Sequence, residues 1–229
     1  MKYQLIKSNR KTIAISFDRD GNLVVKAPLY VGNRDIEDFV RQKSEWIEAT
    51  ALRLKRESEK EAALRPKLCS GDILPYLGDD RILNVICEDR QRSKVVSALG
   101  RLILHVPYAA DYEERRCVLE QWYRRQAQIV IGEKAREFAA LLGVSYAAVR
   151  IKDQRSRWGS CSGKGNLNFN WRILMAPEAV CDYVIIHELC HLVHMDHSER
   201  FWKLVESVCP DYRRCRAWLK EQGKSLYPI

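Results

Sequence analysis

The spacing of hydrophobic positions changes period several times along the chain. From Thr12 to Phe17, Ile13, Ile15 and Phe17 alternate with small or polar residues, and an apolar run from Leu23 to Ala27 follows the dipeptide Asp20-Gly21. A two-residue period broken by a turn signal predicts a β-hairpin, because successive strand side chains point to opposite faces. After Pro28 the spacing becomes helical, with Ile36, Phe39, Val40, Ile47 and Leu54 in a charged background that runs to about Leu64.

The next block, from Tyr76 to Val106, again predicts strands, at Ile82 to Cys87, Lys94 to Ala98 and Leu102 to Val106. A long helix is predicted from about Tyr112 to Leu142, stopped by Gly143. The stretch from Gly21 to Pro28 echoes that from Gly100 to Pro107, and each leads into a helix bearing a tryptophan, Trp46 or Trp122. An internal repeat accounts for the likeness, and so do the shared demands of two strand-proline-helix junctions.

From Val149 a strand leads to the Gly-rich segment Trp158 to Gly165, and then Leu167, Phe169 and Trp171 alternate with Asn166, Asn168 and Asn170. That pattern predicts a hairpin with one buried face. Pro177 suits a first helical turn, and the run from Ala179 to Val193 is apolar nearly all round, as in a buried helix. Two shorter helices, Glu199 to Val208 and Asp211 to Gln222, flank Pro210. The fold class expected is α+β. The pattern divides the chain into a β-rich part with a long helix over 1–110 and a second domain over 111–229.

The 229 residues are enough to bury a core without covalent staples. The N-terminus turns polar too soon for a secretory signal, and no apolar run reaches the roughly 18 residues of a membrane span. Eight scattered cysteines without a CxxC pair argue against a disulfide framework, so a cytoplasmic protein with no membrane contact is expected. The net charge of +9 suits an anionic partner, although a solvated basic surface explains it equally well.

The chemistry lies in the histidines. Of five in the chain, His187, His191, His194 and His197 fall within eleven consecutive positions. On a helix, His187 and His191 lie one turn apart on one face, so their ring nitrogens can share a zinc ion. Glu188, rotated by about 100° from His187, is poorly placed as a third ligand. In an HExxH arrangement it is the general base toward water. A catalytic zinc wants a third protein ligand. His197 can supply it if the helix ends near Met195 and the chain turns back; His194 and Glu206 are the alternatives. Cys190, inside the motif, points away from the histidine face and reads as a small buried filler.

The residues Arg157-Trp158-Gly159-Ser160-Cys161, Asn170-Trp171-Arg172, His187-Glu188-Leu189-Cys190-His191, His197-Ser198 and Phe201-Trp202 occur in this order. Together they resemble the YgjP-like metallopeptidase domain family, relatives of the WLM and SprT-like zincins, and the resemblance extends over nearly the whole chain. It implies a zincin-like fold in which a mixed sheet packs on the buried active-site helix. It also implies one zinc per chain held by His187, His191 and His197, with Glu188 as base. Members of the family have also been assigned nucleoside triphosphate pyrophosphatase activity, so the resemblance leaves peptide and nucleotide substrates open.

Segment 150–172 carries Arg150, Lys152, Arg155, Arg157, Lys164 and Arg172 against Asp153 alone. Such a stretch suits a phosphate-bearing substrate or a weak nucleic-acid contact, or simply solubilises a hairpin. Arg157 and Arg172 are the candidates for stabilising transition-state charge. Three readings follow: a zinc-dependent peptidase, a UTP-type nucleotide pyrophosphatase using the same centre, and a non-catalytic metal-bound module. Glu188 between the two histidines favours an enzyme. For a peptidase, the 166–171 hairpin is the expected edge on which an extended substrate adds as a strand.

Overall fold

The computed structural model describes residues 2–18, 21–64, 66–89, 91–154, 156–226 and 229. They form two compact units, Met1–Arg65 and Pro66–Ile229. In the first, β1 (Gln4–Ser8), β2 (Ala14–Phe17) and β3 (Leu23–Pro28) form a sheet of order β1-β3-β2. Its buried residues Leu23, Val25 and Ala27 pack with Ile36, Val40 and Ile47 of the helices α1 (Asn33–Gln42) and α2 (Ser44–Leu64). The single helix expected between Ile36 and Leu64 is thus two, interrupted at Lys43. Strand β1 has no alternation in its burial, all five residues being exposed, so its sequence carries no periodic signal. Gly21 has a φ of 80°, as the expected turn requires, while Asp20 lies outside the described residues.

The second unit begins with β4 (Ile73–Tyr76), β5 (Asp79–Glu88), β6 (Lys94–Ala98) and β7 (Arg101–Pro107), in the order β4-β5-β7-β6. Here the internal likeness becomes structural. In the first unit β1 pairs parallel and β2 antiparallel with β3; in the second, β5 pairs parallel and β6 antiparallel with β7. The registers correspond as well: Ser8 is opposite Pro28 and Glu88 opposite Pro107, while Ala14 is opposite Lys26 and Lys94 opposite His105. The second copy closes its hairpin with one residue fewer, through Leu99 and Gly100, both at positive φ. That is the twist a two-residue hairpin turn needs.

Helix α3 (Tyr112–Leu142) matches the expected span. The Asp111 side chain accepts from the Glu114 N–H at 2.8 Å, and Gly143 at a φ of 65° ends the helix. The third sheet, β8 (Ala148–Lys152), β9 (Gly159–Cys161) and β10 (Asn166–Asn170), has the order β8-β10-β9 and is mixed, with β10 parallel to β8 and antiparallel to β9. A 3-10 turn (Trp171–Met175) then delivers the chain into α4 (Glu178–Cys190), followed by α5 (Glu199–Val208) and α6 (Tyr212–Gln222).

The motif-bearing helix is anchored near its start and buried along its length. Lys134 of α3 bonds Glu178 at 2.7 Å and Asp182 at 2.8 Å, which ties down its first turn. Along its length Val180, Val184, Ile185, Ile186 and Leu189 are buried in a core shared with Leu83, Leu104, Tyr123 and Phe169. Each such side chain contributes about 1.5–3 kcal/mol when fully buried. That shared core explains the difference between the boundary expected at residue 110 and the division observed at Arg65. Strands β4 to β7 pack their inner face with α3 and the motif-bearing helix, and so they belong to the second unit. No helix among the described residues is long and apolar enough to cross a membrane.

Candidate metal centre and its surroundings

Helix α4 ends at Cys190, sooner than the apolar run suggested, and a turn from His191 carries the chain back toward it. This return brings His197 onto the histidine pair. The ligand nitrogens of His187, His191 and His197 all lie within 4.8 Å of one another, and the Nε2 atoms of His187 and His197 are 3.2 Å apart. Ring nitrogens bound to one tetrahedral zinc at about 2.0–2.1 Å stand roughly 3.3–3.4 Å apart, so the spacing suits a shared ion.

The protonation pattern points the same way. His191 Nδ1 lies 3.0 Å from the His194 carbonyl and donates to it, which leaves Nε2 with a lone pair turned to the cluster. Burial, and then the neighbouring imidazoles and Arg216, push His187 down to about 3; burial also lowers His191. Neutral imidazole is the form that binds a divalent ion. His187 Nδ1 is buried without a hydrogen-bond partner among the described residues.

The expected alternatives stand elsewhere. His194 contributes its backbone carbonyl, and its ring is outside the cluster. Glu206 pairs with Arg213 at 2.5 Å. Glu188 is also outside the ligand cluster, and only 6% of it is exposed. It accepts a hydrogen bond from the Cys161 N–H, and burial pushes its carboxyl up to about 7 against the opposing pull of Arg157 and that N–H. Strand β9 presses directly on it: a Cβ on Gly159 would stand 2.6 Å from both Cγ and Oε1 of Glu188. Only glycine leaves room for the carboxylate there.

Aromatic rings frame the cluster. Phe201 stacks on His191 with centroids 4.5 Å apart, Trp202 stacks on His197 at 5.7 Å, and Tyr183 meets His187 edge-on at 5.7 Å. Beside His187 and Glu188 lies a recess of about 190 Å³, lined also by Trp158, Gly159, Tyr183, Val184 and Leu219. Trp158 is backed by Gly223, where an added Cβ would come within 3.1 Å of the indole.

The two arginines expected at the reacting centre separate. Arg157 is exposed and close enough to act on the Glu188 charge. Arg172 is committed elsewhere. It is buried, ion-paired with Asp153, bonded to the Ile229 carbonyl at 3.1 Å, and stacked over Trp171 at 4.1 Å, so it braces the chain behind the site. Arg155, counted in the basic stretch, lies outside the described residues. The expected edge strand also shifts: β10 is the central strand of its sheet, and the edge beside Glu188 is β9. Sequence spacing gave no sign of Arg216, which reaches the site from α6 through tertiary packing.

Residues 11–222 match the sequence profile of the YgjP-like metallopeptidase domain. Two solved structures are similar to parts of the chain. One is the metallopeptidase zymogen abylysin of Pyrococcus abyssi, at 28% identity over 40% of this chain and 95% of that one, with a TM-score of 0.37. The other is the metallopeptidase zymogen jannalysin of Methanocaldococcus jannaschii, at 22% identity over 34% of this chain and 79% of that one, with a TM-score of 0.31. No curated protein matches significantly. With the profile spanning most of the sequence, and with a three-histidine group able to hold the divalent metal that such a domain implies, the chain belongs to the YgjP-like metallopeptidase domain family and is a metallohydrolase.

Proposed function

We propose that the chain is a zinc-dependent peptidase in which His187, His191 and His197 hold one metal ion and Glu188 is the general base. The observation that carries this reading is the meeting of three imidazoles beside a buried carboxylate that stands outside the ligand cluster. Zinc, when bound, lowers the pKa of water toward neutrality and polarises the scissile carbonyl.

Glu188 takes the proton from the attacking water and returns it to the leaving amine nitrogen. The Cys161 N–H fixes one side of its carboxylate, and Gly159 leaves it the space to sit there. An extended substrate adds as a strand along β9, the edge next to Glu188, with main-chain hydrogen bonds supplying the alignment. Arg157 stabilises negative charge that develops near the carboxylate.

The nucleotide reading draws less support. Of the two arginines it calls on, Arg172 is spent on Asp153 and Trp171, which leaves Arg157 alone of that pair. The recess beside the histidines is also smaller than the roughly 300–1,000 Å³ usual for sites of small organic ligands. The eight cysteines are all free, which suits a reducing compartment, and the cytosol is the proposed location.

The test combines metal analysis of wild type and His187→Ala with turnover of casein-type peptides and nucleoside triphosphates by wild type and Glu188→Gln. One equivalent of zinc in wild type, lost in the first variant, with peptide cleavage abolished in the second, is the expected result. Absence of metal after zinc reconstitution of wild type overturns the reading, and so does hydrolysis of triphosphates alone.

A further inference from the structure

The recess beside the catalytic pair is apolar on most sides, from Trp158, Val184, Leu219 and the ring of Tyr183. Arg216 precedes Leu219 by three positions on α6, so the two project from one face of that helix. Its guanidinium carbon lies 5.1 Å from the centre of the Trp202 indole, and Trp202 is itself stacked between His197 and Tyr212, with centroids 5.7 and 5.2 Å away. The cation–π contact restrains the long side chain without neutralising it. Among the described residues no carboxylate forms an ion pair with Arg216, whereas Arg213 on the same helix pairs with Glu206.

Its charge is felt at the site. Arg216 is close enough to act through space on His187 and Tyr183, two of the side chains that line the recess. Arg157, also without an ion-paired carboxylate among the described residues, acts on Glu188, another of the residues that line the recess. A small apolar hollow next to two unneutralised arginines is complementary to a group with a short hydrocarbon stem and an anionic head.

We propose that this recess is the subsite for one substrate residue beside the scissile bond, and that Arg216 is a specificity-determining residue that selects a carboxylate there. This rests on the peptidase reading. The volume of about 190 Å³ fits one side chain and excludes a nucleotide. The carboxylate is that of an aspartate or glutamate side chain, or the free terminus of a peptide whose last residue fills the hollow.

The experiment measures binding apart from turnover. Zinc-loaded Glu188→Gln protein is titrated, by tryptophan fluorescence from Trp158 and Trp202, with matched peptides carrying glutamate, glutamine or lysine next to the scissile bond, each as free acid and as C-terminal amide. The same series is made in Arg216→Gln and Arg216→Glu backgrounds, and cleavage rates are taken with Glu188 restored. The expected result is a preference of at least about tenfold for the carboxylate, the scale of one hydrogen bond to a charged group. It should fall to near unity in Arg216→Gln and invert toward lysine in Arg216→Glu.

Loss of the preference on changing glutamate to glutamine assigns it to the side chain; loss on amidation assigns it to the terminus. Either supports the proposal. Equal affinity for all peptides, or a preference unchanged in Arg216→Gln, overturns it while leaving the peptidase reading intact. Peptide binding without cleavage by zinc-loaded wild type sinks both.

Discussion

Gly159 and Glu188 are in a contact that leaves no room for a side chain on the glycine: a methyl group on Gly159 would come within 2.6 Å of the carboxylate oxygen. The Glu188 carboxylate is therefore held from two sides, by its own buried helix and by the β9 backbone. Gly159→Ala is expected to displace the Glu188 side chain while leaving the three histidines in position. Activity should fall by about a hundredfold, the scale of a misplacement of roughly 1 Å in a reacting group. Zinc stoichiometry should stay at one per chain. Steady-state kinetics paired with metal analysis checks this, and an unaltered kcat would refute the packing argument.

His194 and His197 make opposite predictions although they are three residues apart. The His194 ring is outside the cluster and only its carbonyl is used, so His194→Ala should retain the metal. His197→Ala removes one of three converging nitrogens and should weaken zinc binding by at least about tenfold, with loss of turnover. Chelator competition measures both. Because a metal that binds only the folded state stabilises it by mass action, chelation should also lower the melting temperature of wild type and of His194→Ala, but hardly that of His197→Ala.

Much of this arrangement is legible in the residues. The span of α3, the strand Lys94 to Ala98 and the helix Glu199 to Val208 follow from apolar period and from Gly143 and Pro210 as stops. His187 and His191 are paired by helical geometry alone. What periodicity misses is whatever lies off the period: the exposed β1, the break at Lys43, and the return of the chain after Cys190 that selects His197 over His194. The repeat is visible in the sequence only as two glycine-to-proline stretches. It becomes a structural likeness once β1 and β5 take the same parallel place beside β3 and β7, with Leu5-Ile6 of the one in register with Val85-Ile86 of the other. Arg172 misleads for a related reason. Charge in a sequence carries no sign of its partner, and this guanidinium has Asp153.

That pairing predicts a structural phenotype. Asp153→Ala removes the Asp153 carboxylate from a buried guanidinium, a loss of about 3–5 kcal/mol in a fully buried pair. Asp153 is about a third exposed, so solvent screening reduces the expected cost to roughly 2–3 kcal/mol. Urea denaturation of the zinc-loaded protein measures it. If Arg172 acts only as a brace, kcat per folded molecule should change by less than about threefold in Arg172→Met; a loss of a hundredfold with stability preserved would return it to the reacting centre.

The two buried clusters draw on separate stretches of chain, one on residues up to Ile47 and the other on residues from Leu68 onward. All three histidines, Glu188, Gly159, Arg157 and Arg216 belong to the second stretch, as do the four strands of the β4 to β7 sheet. A fragment of residues 66–229 therefore carries a complete core of its own, and a core of that size is sufficient for independent folding. It should unfold cooperatively and bind one zinc with an affinity within about tenfold of the full chain. A fragment beginning at residue 111, by contrast, lacks Leu83, Leu102 and Leu104 beneath α3 and exposes that helix's buried face. It is expected to aggregate or to show a non-cooperative transition. Circular dichroism during thermal unfolding, with zinc titration, separates the two fragments; equal behaviour would mean that the sheet contributes nothing to the metal-bearing core.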